Sequence, residues 1–188
     1  YIEQYKFPRL VVINSTVLPG TCELIKSLEG GKCSVVHSPV MGRHRKHAPE
    51  MMLEDIKAYP KFIGADSDED YKLAEDLFSS IGLKTERLSS TATSELSKLL
   101  ETTYSGILIG WYQEIERLSD KYGVDWKETL KLPQAANQRI EFQRPTDLFP
   151  GFIGGHCIMP NIELLLQENE SEYLTAVVNS NARKKNEA

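Results

Sequence analysis

The sequence predicts an α/β fold: a parallel sheet of about four strands, followed by a long helix and a smaller helical region. Two observations predict it. Within residues 1–88, short apolar runs alternate with amphipathic segments, as in the strand–helix repeats of a parallel sheet. From Thr93 to Tyr122 there is no proline, and apolar residues recur at intervals of three and four. We therefore predict two domains, residues 1–88 and 89–188.

The first domain contains apolar runs that are typical of buried strands. They are LVVINST (10–16), KCSVVHSP (32–39), KFIGAD (61–66) and LKTERLS (83–89). One helix is predicted after the first strand and another after the third. The second of these helices begins after Ser67, a favourable capping residue. Its Leu73, Leu77 and Ile81 recur at helical spacing and are expected on one face.

The second domain is predicted to be helical throughout. The helix over 93–122 is about 45 Å long at 1.5 Å per residue, so it is expected to extend beyond the α/β unit. Residues 123–137 predict one shorter helix, and residues 161–185 predict another helical segment. Between them lies a loop rich in glycine and proline, LFPGFIGGHCIMP (148–160).

Composition excludes several classes of protein. A net charge of −5 argues against nonspecific binding to nucleic acid, and no apolar run approaches the ~20 residues of a membrane span. The mixed, charged first ten residues do not resemble a signal peptide. Three cysteines without CxxC spacing, and three histidines within 37–47 that lack partner ligands, predict neither disulfides nor a metal site. A cytoplasmic protein is expected.

Cys157 follows two glycines and a histidine. A cysteine nucleophile needs exposure and a lowered pKa. The glycines let the backbone approach a ligand closely, and Pro160 permits a helix to start nearby, whose N-terminus would stabilise a thiolate. His156 adds a neighbour that can carry positive charge. These residues alone leave two alternatives open, a catalytic thiol and an inert cysteine buried in a loop.

The motifs STVLPGT, ELSKLLETTY and GGHC, in this order and separation, resemble the UDP-glucose and GDP-mannose dehydrogenase family. The resemblance runs from about Leu10 to Arg183. It implies a partial Rossmann-like NAD-binding domain, a long central helix and an all-α dimerisation domain, and therefore a homodimer. It also implies that the C6 alcohol of a UDP- or GDP-sugar is oxidised to the uronate in two NAD-dependent steps. The aldehyde is held on cysteine as a thiohemiacetal and then as a thioester.

The resemblance assigns catalytic roles to three residues. Cys157 matches the nucleophile, Lys98 matches the lysine that stabilises negative charge on the substrate oxygen, and Thr16 matches an active-site threonine. Ser15 and Thr16 are also expected to contact the cofactor. The alternatives are a solvated helix lysine at 98 and a helix-capping hydroxyl at 16.

Five further residues are expected to bind the substrate. They are Thr102, Arg139, Gly154, Gly155 and Asn161. Two of them depart from the family, which has asparagine at the position of Thr102 and aspartate at the position of Asn161. An amide cannot accept a proton as a carboxylate can. Val40 likewise replaces a family glutamate.

The sequence also lacks the GxGxxG that holds the dinucleotide pyrophosphate. Two readings stay open: a dehydrogenase, either a fragment or a reduced relative, and a non-catalytic dimeric relative that keeps the scaffold or a ligand pocket. A dehydrogenase of the 6-phosphogluconate or 3-hydroxyacyl type is a weaker reading, because those proteins lack a cysteine after GGH. Trp111, Tyr112 and Leu118 are the candidates for a dimer interface. The basic segment 42–50 favours a solvated loop over an anion contact.

Overall fold

The chain folds into two compact units, Tyr1–Leu99 and Leu100–Ala188. The computed structural model describes residues 8–28, 30–42, 50–137 and 150–187. The basic segment 43–49 and Arg139 lie outside these ranges. Within them, no helix has both the length and the apolar character needed to cross a membrane.

The first unit is a four-stranded sheet with helices between its strands. Its elements are β1 (Leu10–Ile13), α1 (Thr21–Leu28), β2 (Ser34–His37), α2 (Glu50–Ala58), β3 (Lys61–Gly64), α3 (Asp68–Ser80) and β4 (Thr85–Leu88). The strands lie in the order β1-β2-β3-β4. All four predicted strands are therefore confirmed. Helix α2 was not predicted, because the basic segment before Glu50 gave no clear signal for the start of a helix.

The sheet is not parallel throughout. Strands β1 and β2 are parallel, and so are β3 and β4. Strands β2 and β3 run antiparallel and pair at a single register position, His37 opposite Gly64. Strand β3 therefore begins at the end of the sheet where β2 finishes, and Lys61 donates there to the carbonyl oxygens of Ser38 (2.8 Å) and Pro39 (3.2 Å). The predicted α/β class is confirmed, with this one reversal.

Helix α3 packs on the sheet with a different face from the one predicted. Ala74 and Phe78, four residues apart, belong to the buried core of this unit together with Val36 and Ile63. Leu77 and Ile81 are 47% and 66% exposed. A helix advances about 100° per residue, so Leu77 points about 80° away from the centre of the face that carries Ala74 and Phe78. Ile81 is the C-cap residue and lies beyond the last helical residue, Ser80. The predicted cap is confirmed, because the Ser67 hydroxyl accepts a hydrogen bond from the amide of Asp70.

The long helix α4 spans Thr91–Tyr122, 32 residues or about 48 Å. This confirms the predicted helix over 93–122. It begins where the Asp66 carboxylate accepts hydrogen bonds from the amide and the hydroxyl of Thr91. The two compact units divide after Leu99, inside this helix, and the domain boundary at 88/89 stays a prediction.

The second unit is helical, as predicted, but its helices are shorter. They are α5 (Trp126–Thr129), α6 (Lys131–Asn137), α7 (Ile158–Glu168) and α8 (Glu172–Glu187). The single helix predicted over 123–137 divides at Leu130, and the segment 161–185 divides where Asn169 adopts an extended conformation. The core is a cluster of Ile109, Ile153, Ile162 and Val177.

Two glycines on α4 give a matched test of this packing. A Cβ at Gly106 would lie 2.8 Å from Cδ1 of Ile162 and 2.9 Å from Cγ2 of Ile158, whereas at Gly110 the nearest atom, Cγ2 of Val177, is 3.7 Å away. We expect Gly106→Ala to lower the free energy of unfolding by about 1–2 kcal/mol, because overpacking outweighs the helix propensity of alanine. We expect Gly110→Ala to leave it unchanged or to raise it by up to about 1 kcal/mol. Urea unfolding measures both, and equal stability of the two variants would contradict the packing.

Candidate functional site

Thr16 lies just beyond the carboxyl end of β1. The strand ends at Ile13, and a loop of residues 14–20 leads to the start of α1 at Thr21. Ser15 is exposed and Thr16 is half-buried. In parallel sheets, ligands bind at the carboxyl ends of strands, so this loop is a suitable place for the predicted contacts.

Lys98 and Thr102 lie four residues apart on α4 and therefore on one face of that helix. Both side chains are half-buried. The Thr102 hydroxyl donates to the Glu101 carboxylate at 3.1 Å. A hydroxyl can still donate and accept, but it lacks the planar amide of the asparagine that the family carries there.

Cys157 is exposed, whereas Cys22 and Cys33 are buried. It is the N-cap residue of α7, and its side chain makes no capping hydrogen bond. The N-terminus of a helix carries a partial positive charge that favours anionic groups close to it. The exposure contradicts the reading of Cys157 as a buried cysteine, and its role as nucleophile stays a prediction.

The residues around Cys157 differ in accessibility. Gly154 and Gly155 are exposed, and Gly155 has φ of +90°, a left-handed conformation that a side chain would strain. Asn161 lies one turn after Cys157 in α7 and is buried. The backbone amide of Asn161 donates a hydrogen bond to the carbonyl oxygen of Cys157 at 3.3 Å.

A buried polar network, not predicted from the sequence, anchors the segment before Cys157. Asn181 of α8 binds both backbone groups of Ile153: its Oδ1 accepts from the amide at 2.7 Å, and its Nδ2 donates to the carbonyl oxygen at 3.1 Å. Gln113 of α4 donates to the carbonyl oxygen of Gly151 at 2.9 Å and accepts from Ser180 at 2.6 Å. The only sign of this network in the sequence is that Gln113 and Asn181, which carry side-chain amides, lie among apolar residues on their helices.

A second network, also not predicted, surrounds the Thr16 loop. The fully buried Glu95 of α4 accepts hydrogen bonds from the amides of Gly20 and Cys22, both at 2.8 Å. Its carboxylate therefore occupies the N-terminus of α1. Lys61 donates to Oδ1 of Asn14 at 3.1 Å as well as to the end of β2, and burial lowers its pKa to about 8.

This second network bears directly on the cofactor. A dinucleotide pyrophosphate binds at a glycine-rich turn and a helix N-terminus. The sequence has no GxGxxG, and the first amides of α1 are already bound by Glu95. The described residues at this helix therefore do not fit the pyrophosphate of NAD.

His37 connects β2 to both α4 and the Thr16 loop. Its Nε2 donates to the carbonyl oxygen of Ser15 at 3.1 Å, and its Nδ1 accepts from the Ser94 hydroxyl at 2.8 Å. Both ring nitrogens are therefore engaged, and a metal ion has no free nitrogen to bind. Burial is the main cause that lowers the pKa of His37 below its ordinary value of 6.5, with a smaller contribution from Lys61.

The lowered pKa of His37 predicts a pH dependence of stability. Below about pH 6.5 the unfolded chain binds a proton at this residue, and the native state does not until the pH reaches the lower native pKa. The free energy of unfolding of wild type relative to His37→Gln should therefore decrease as the pH falls from 7 to 5. Unfolding of both proteins across this range measures the difference, and a constant difference would contradict the prediction.

Comparison with known proteins gives a consistent result. Residues 92–188 match the central domain of the UDP-glucose/GDP-mannose dehydrogenase family. A UDP-N-acetyl-D-mannosamine dehydrogenase of Pyrococcus horikoshii is 29% identical over 173 residues, which cover 87% of this chain and 39% of that relative.

Solved structures agree. The UDP-D-ManNAc dehydrogenase of Pyrococcus horikoshii superposes with a TM-score of 0.73 at 28% identity, over 93% of this chain and 42% of that one. The UDP-glucose dehydrogenase of Pyrobaculum islandicum shares the fold, with a TM-score of 0.74 at 22% identity, over 93% of this chain and 41% of that one. The chain thus spans about two fifths of the length of these relatives. Its family match, its fold and its motifs together show that the chain belongs to the UDP-glucose/GDP-mannose dehydrogenase family.

Proposed function

We propose that this chain is the part of a nucleotide-sugar 6-dehydrogenase that carries the nucleophile and its supporting residues. The observation that carries the proposal is the exposed thiol of Cys157 at the N-terminus of α7, within the GGHC motif. The relative at 29% identity is named for UDP-N-acetyl-D-mannosamine, so an N-acetylated UDP-sugar is the first substrate to test. Free cysteines favour a reducing, cytoplasmic setting.

The proposed reaction oxidises the C6 alcohol to a carboxylate by way of the aldehyde. The Cys157 thiolate adds to the aldehyde carbon and forms a carbon–sulfur bond, giving a thiohemiacetal. Loss of a hydride from that carbon gives a thioester, and water then cleaves the carbon–sulfur bond and releases the uronate and the thiol. The ammonium of Lys98 stabilises the negative charge that develops on the substrate oxygen, a contribution worth about 10²–10³ in kcat in comparable sites.

The remaining predicted residues orient the substrate in this proposal. Gly154 and Gly155 allow close approach of the backbone, while Thr102, Arg139 and Asn161 contact the sugar. Thr16 is the active-site threonine and, with Ser15, contacts the cofactor. The family resemblance implies NAD as the acceptor of both hydrides. The residues at α1 do not fit its pyrophosphate, so binding of NAD is proposed only for the whole protein.

Substitution of Cys157 tests the proposal. In the complete protein with NAD and UDP-N-acetyl-D-mannosamine, we expect Cys157→Ala to reduce uronate formation to background, because no carbon–sulfur bond can form. Cys33→Ala removes a buried thiol and serves as the control. Uronate formation by Cys157→Ala at the wild-type rate would refute the nucleophile.

Thiol alkylation tests the same residue without substrate. We expect iodoacetamide to modify Cys157 rapidly, because its thiol is exposed to solvent. Cys22 is an internal reference, because burial and the neighbouring Glu95 raise the pKa of its thiol. Equal labelling of Cys22 and Cys157 in the folded chain would contradict a selectively reactive Cys157.

The alternative function is a non-catalytic dimeric relative that keeps the scaffold or a ligand pocket. The observation that favours it is Asn161, a buried amide at the position where the family has aspartate. Asn161→Asp separates the two functions. If the protein is a dehydrogenase, the variant should form uronate at least as fast as wild type. If neither wild type nor the variant turns over any UDP- or GDP-sugar, the alternative is supported.

We also propose that the protein forms a homodimer through its helical unit. Trp111 and Tyr122 are 59% and 72% exposed, and with Leu118 they line a cavity of about 440 Å³. Tyr112, a predicted interface residue, is buried within its own chain and forms part of the cavity lining. Apolar surface of this kind is typical of interfaces.

Sedimentation measures the proposed dimer. Trp111→Lys should shift the mass to that of a monomer, because it places a charge on the exposed apolar surface. Tyr173→Lys changes an aromatic residue on α8 that is even more exposed, at 78%, and that does not line the cavity. This control should leave the dimer intact. A Trp111→Lys variant that sediments as a dimer would exclude this surface.

A further inference from the structure

The loop of residues 14–20 is attached to the first turns of α4 at both of its ends. At the far end, Glu95 accepts from the amides of Gly20 and Cys22. At the near end, the carbonyl oxygen of Ser15 accepts from His37, which in turn accepts from Ser94. Adjacent residues of one helix, Ser94 and Glu95, therefore reach both ends of the loop.

The polar side chains that make these hydrogen bonds are buried, and burial of polar groups costs free energy. Glu95, Ser94 and His37 are all fully buried. A buried carboxylate loses hydration that only specific hydrogen bonds replace, and here the bonds join residues 73 and 75 positions apart in the chain. The N-terminus of α1 does not need this particular partner, since serine, threonine, aspartate or asparagine at the cap would satisfy it locally.

The position of Lys98 supplies a reason. Lys98 follows Glu95 by three residues, so the two side chains lie one turn apart on the same face of α4. Thr16 lies between the two attached ends of the loop. Ser94 and Glu95, which hold the backbone on both sides of Thr16, therefore lie in the turn of α4 directly before Lys98.

We propose that Glu95 and the Ser94–His37 pair are positioning residues that set the placement of Thr16 relative to Lys98. The inference rests on the proposed function, which assigns Thr16 and Lys98 to the same reaction. Without the attachments, the loop would keep its covalent connection to β1 and α1 but would sample several conformations. Thr16 would then be misplaced for part of the time, at a cost in turnover rather than in substrate affinity.

Amide exchange and NMR of the chain test the attachment directly. In Glu95→Gln only one side-chain oxygen remains to accept, so exchange of the Gly20 or the Cys22 amide should accelerate at least about tenfold. The Thr16 methyl signal should shift or broaden, while the amide of Val36 in β2 keeps its protection. Glu23→Gln is the matched control, because Glu23 is an exposed carboxylate in the first turn of the same helix.

The results separate this inference from the proposed function. An unchanged Thr16 signal in Glu95→Gln overturns the positioning role, whether or not the protein is a dehydrogenase. Equal acceleration in β2 also overturns it, because Glu95 would then serve general stability. In the complete active protein, Glu95→Gln should lower kcat about tenfold or more with little change in KM for the sugar nucleotide, and Glu23→Gln should change neither. A complete protein without turnover refutes the proposed function and leaves the NMR result valid.

Discussion

Replacing Gly64 with alanine is expected to lower the free energy of unfolding of the first unit by about 3 kcal/mol. Gly64 ends β3 at the point where the first turn of α4 crosses it. A Cβ at this position would lie 2.4 Å from Cβ of Ser94, 2.6 Å from the carbonyl oxygen of Ser90 and 3.2 Å from Cα of Thr91. Two of these atoms are backbone, so a change of rotamer cannot make room.

The relief of this clash would require α4 to move away from β3. Such a movement would also separate Ser94 from His37, whose side chains are 2.8 Å apart. Loss of the close packing and of a buried hydrogen bond together account for the upper end of the range for overpacking.

Native-state exchange of the Val36 and Ile63 amides reports the stability of this sheet. Gly110→Ala makes the same chemical change where the nearest neighbour is 3.7 Å away, and it should leave these amides protected. Unchanged protection in Gly64→Ala would mean that β3 and α4 do not approach as closely as the structure shows.

The sequence predicted the elements that local patterns define. The alternation of apolar runs and the proline-free stretch led to the four strands and to α4, because period and breakers act over a few residues. The face of α3 was predicted wrongly. Leu77 and Ile81 are more hydrophobic than Ala74, yet the small Ala74 lies against the sheet, and such a choice depends on the shape of the partner surface.

The site could be predicted only in part for a related reason. The glycines before Cys157 and Pro160 after it, all within a few residues, indicated an exposed thiol as one of two alternatives and did not exclude a buried cysteine. The partners of Glu95 and Asn181 are backbone groups far away in the chain. Every residue has an amide and a carbonyl group, so the sequence contains no sign of which ones a buried side chain will bind.

Asn181 offers the second large effect. Its side chain hydrogen-bonds both backbone groups of Ile153, as the backbone of a neighbouring strand would. It binds the amide at 2.7 Å and the carbonyl oxygen at 3.1 Å. Asn181→Ala would leave both backbone groups buried without these partners, at about 1–3 kcal/mol each. We expect the free energy of unfolding of the second unit to fall by about 3 kcal/mol. Asn179→Ala, an exposed amide two residues earlier on α8, should have little effect.

Urea unfolding followed by tryptophan fluorescence measures this difference, since Trp111 and Trp126 both lie in the second unit. Because Ile153 precedes the GGHC segment directly, Asn181→Ala should also accelerate exchange of the Gly154 amide. If Asn181→Ala and Asn179→Ala prove equally stable, Asn181 does not anchor the loop. If only Asn181→Ala loses stability and Gly154 protection, the conformation presenting Cys157 depends on a residue 24 positions further along the chain.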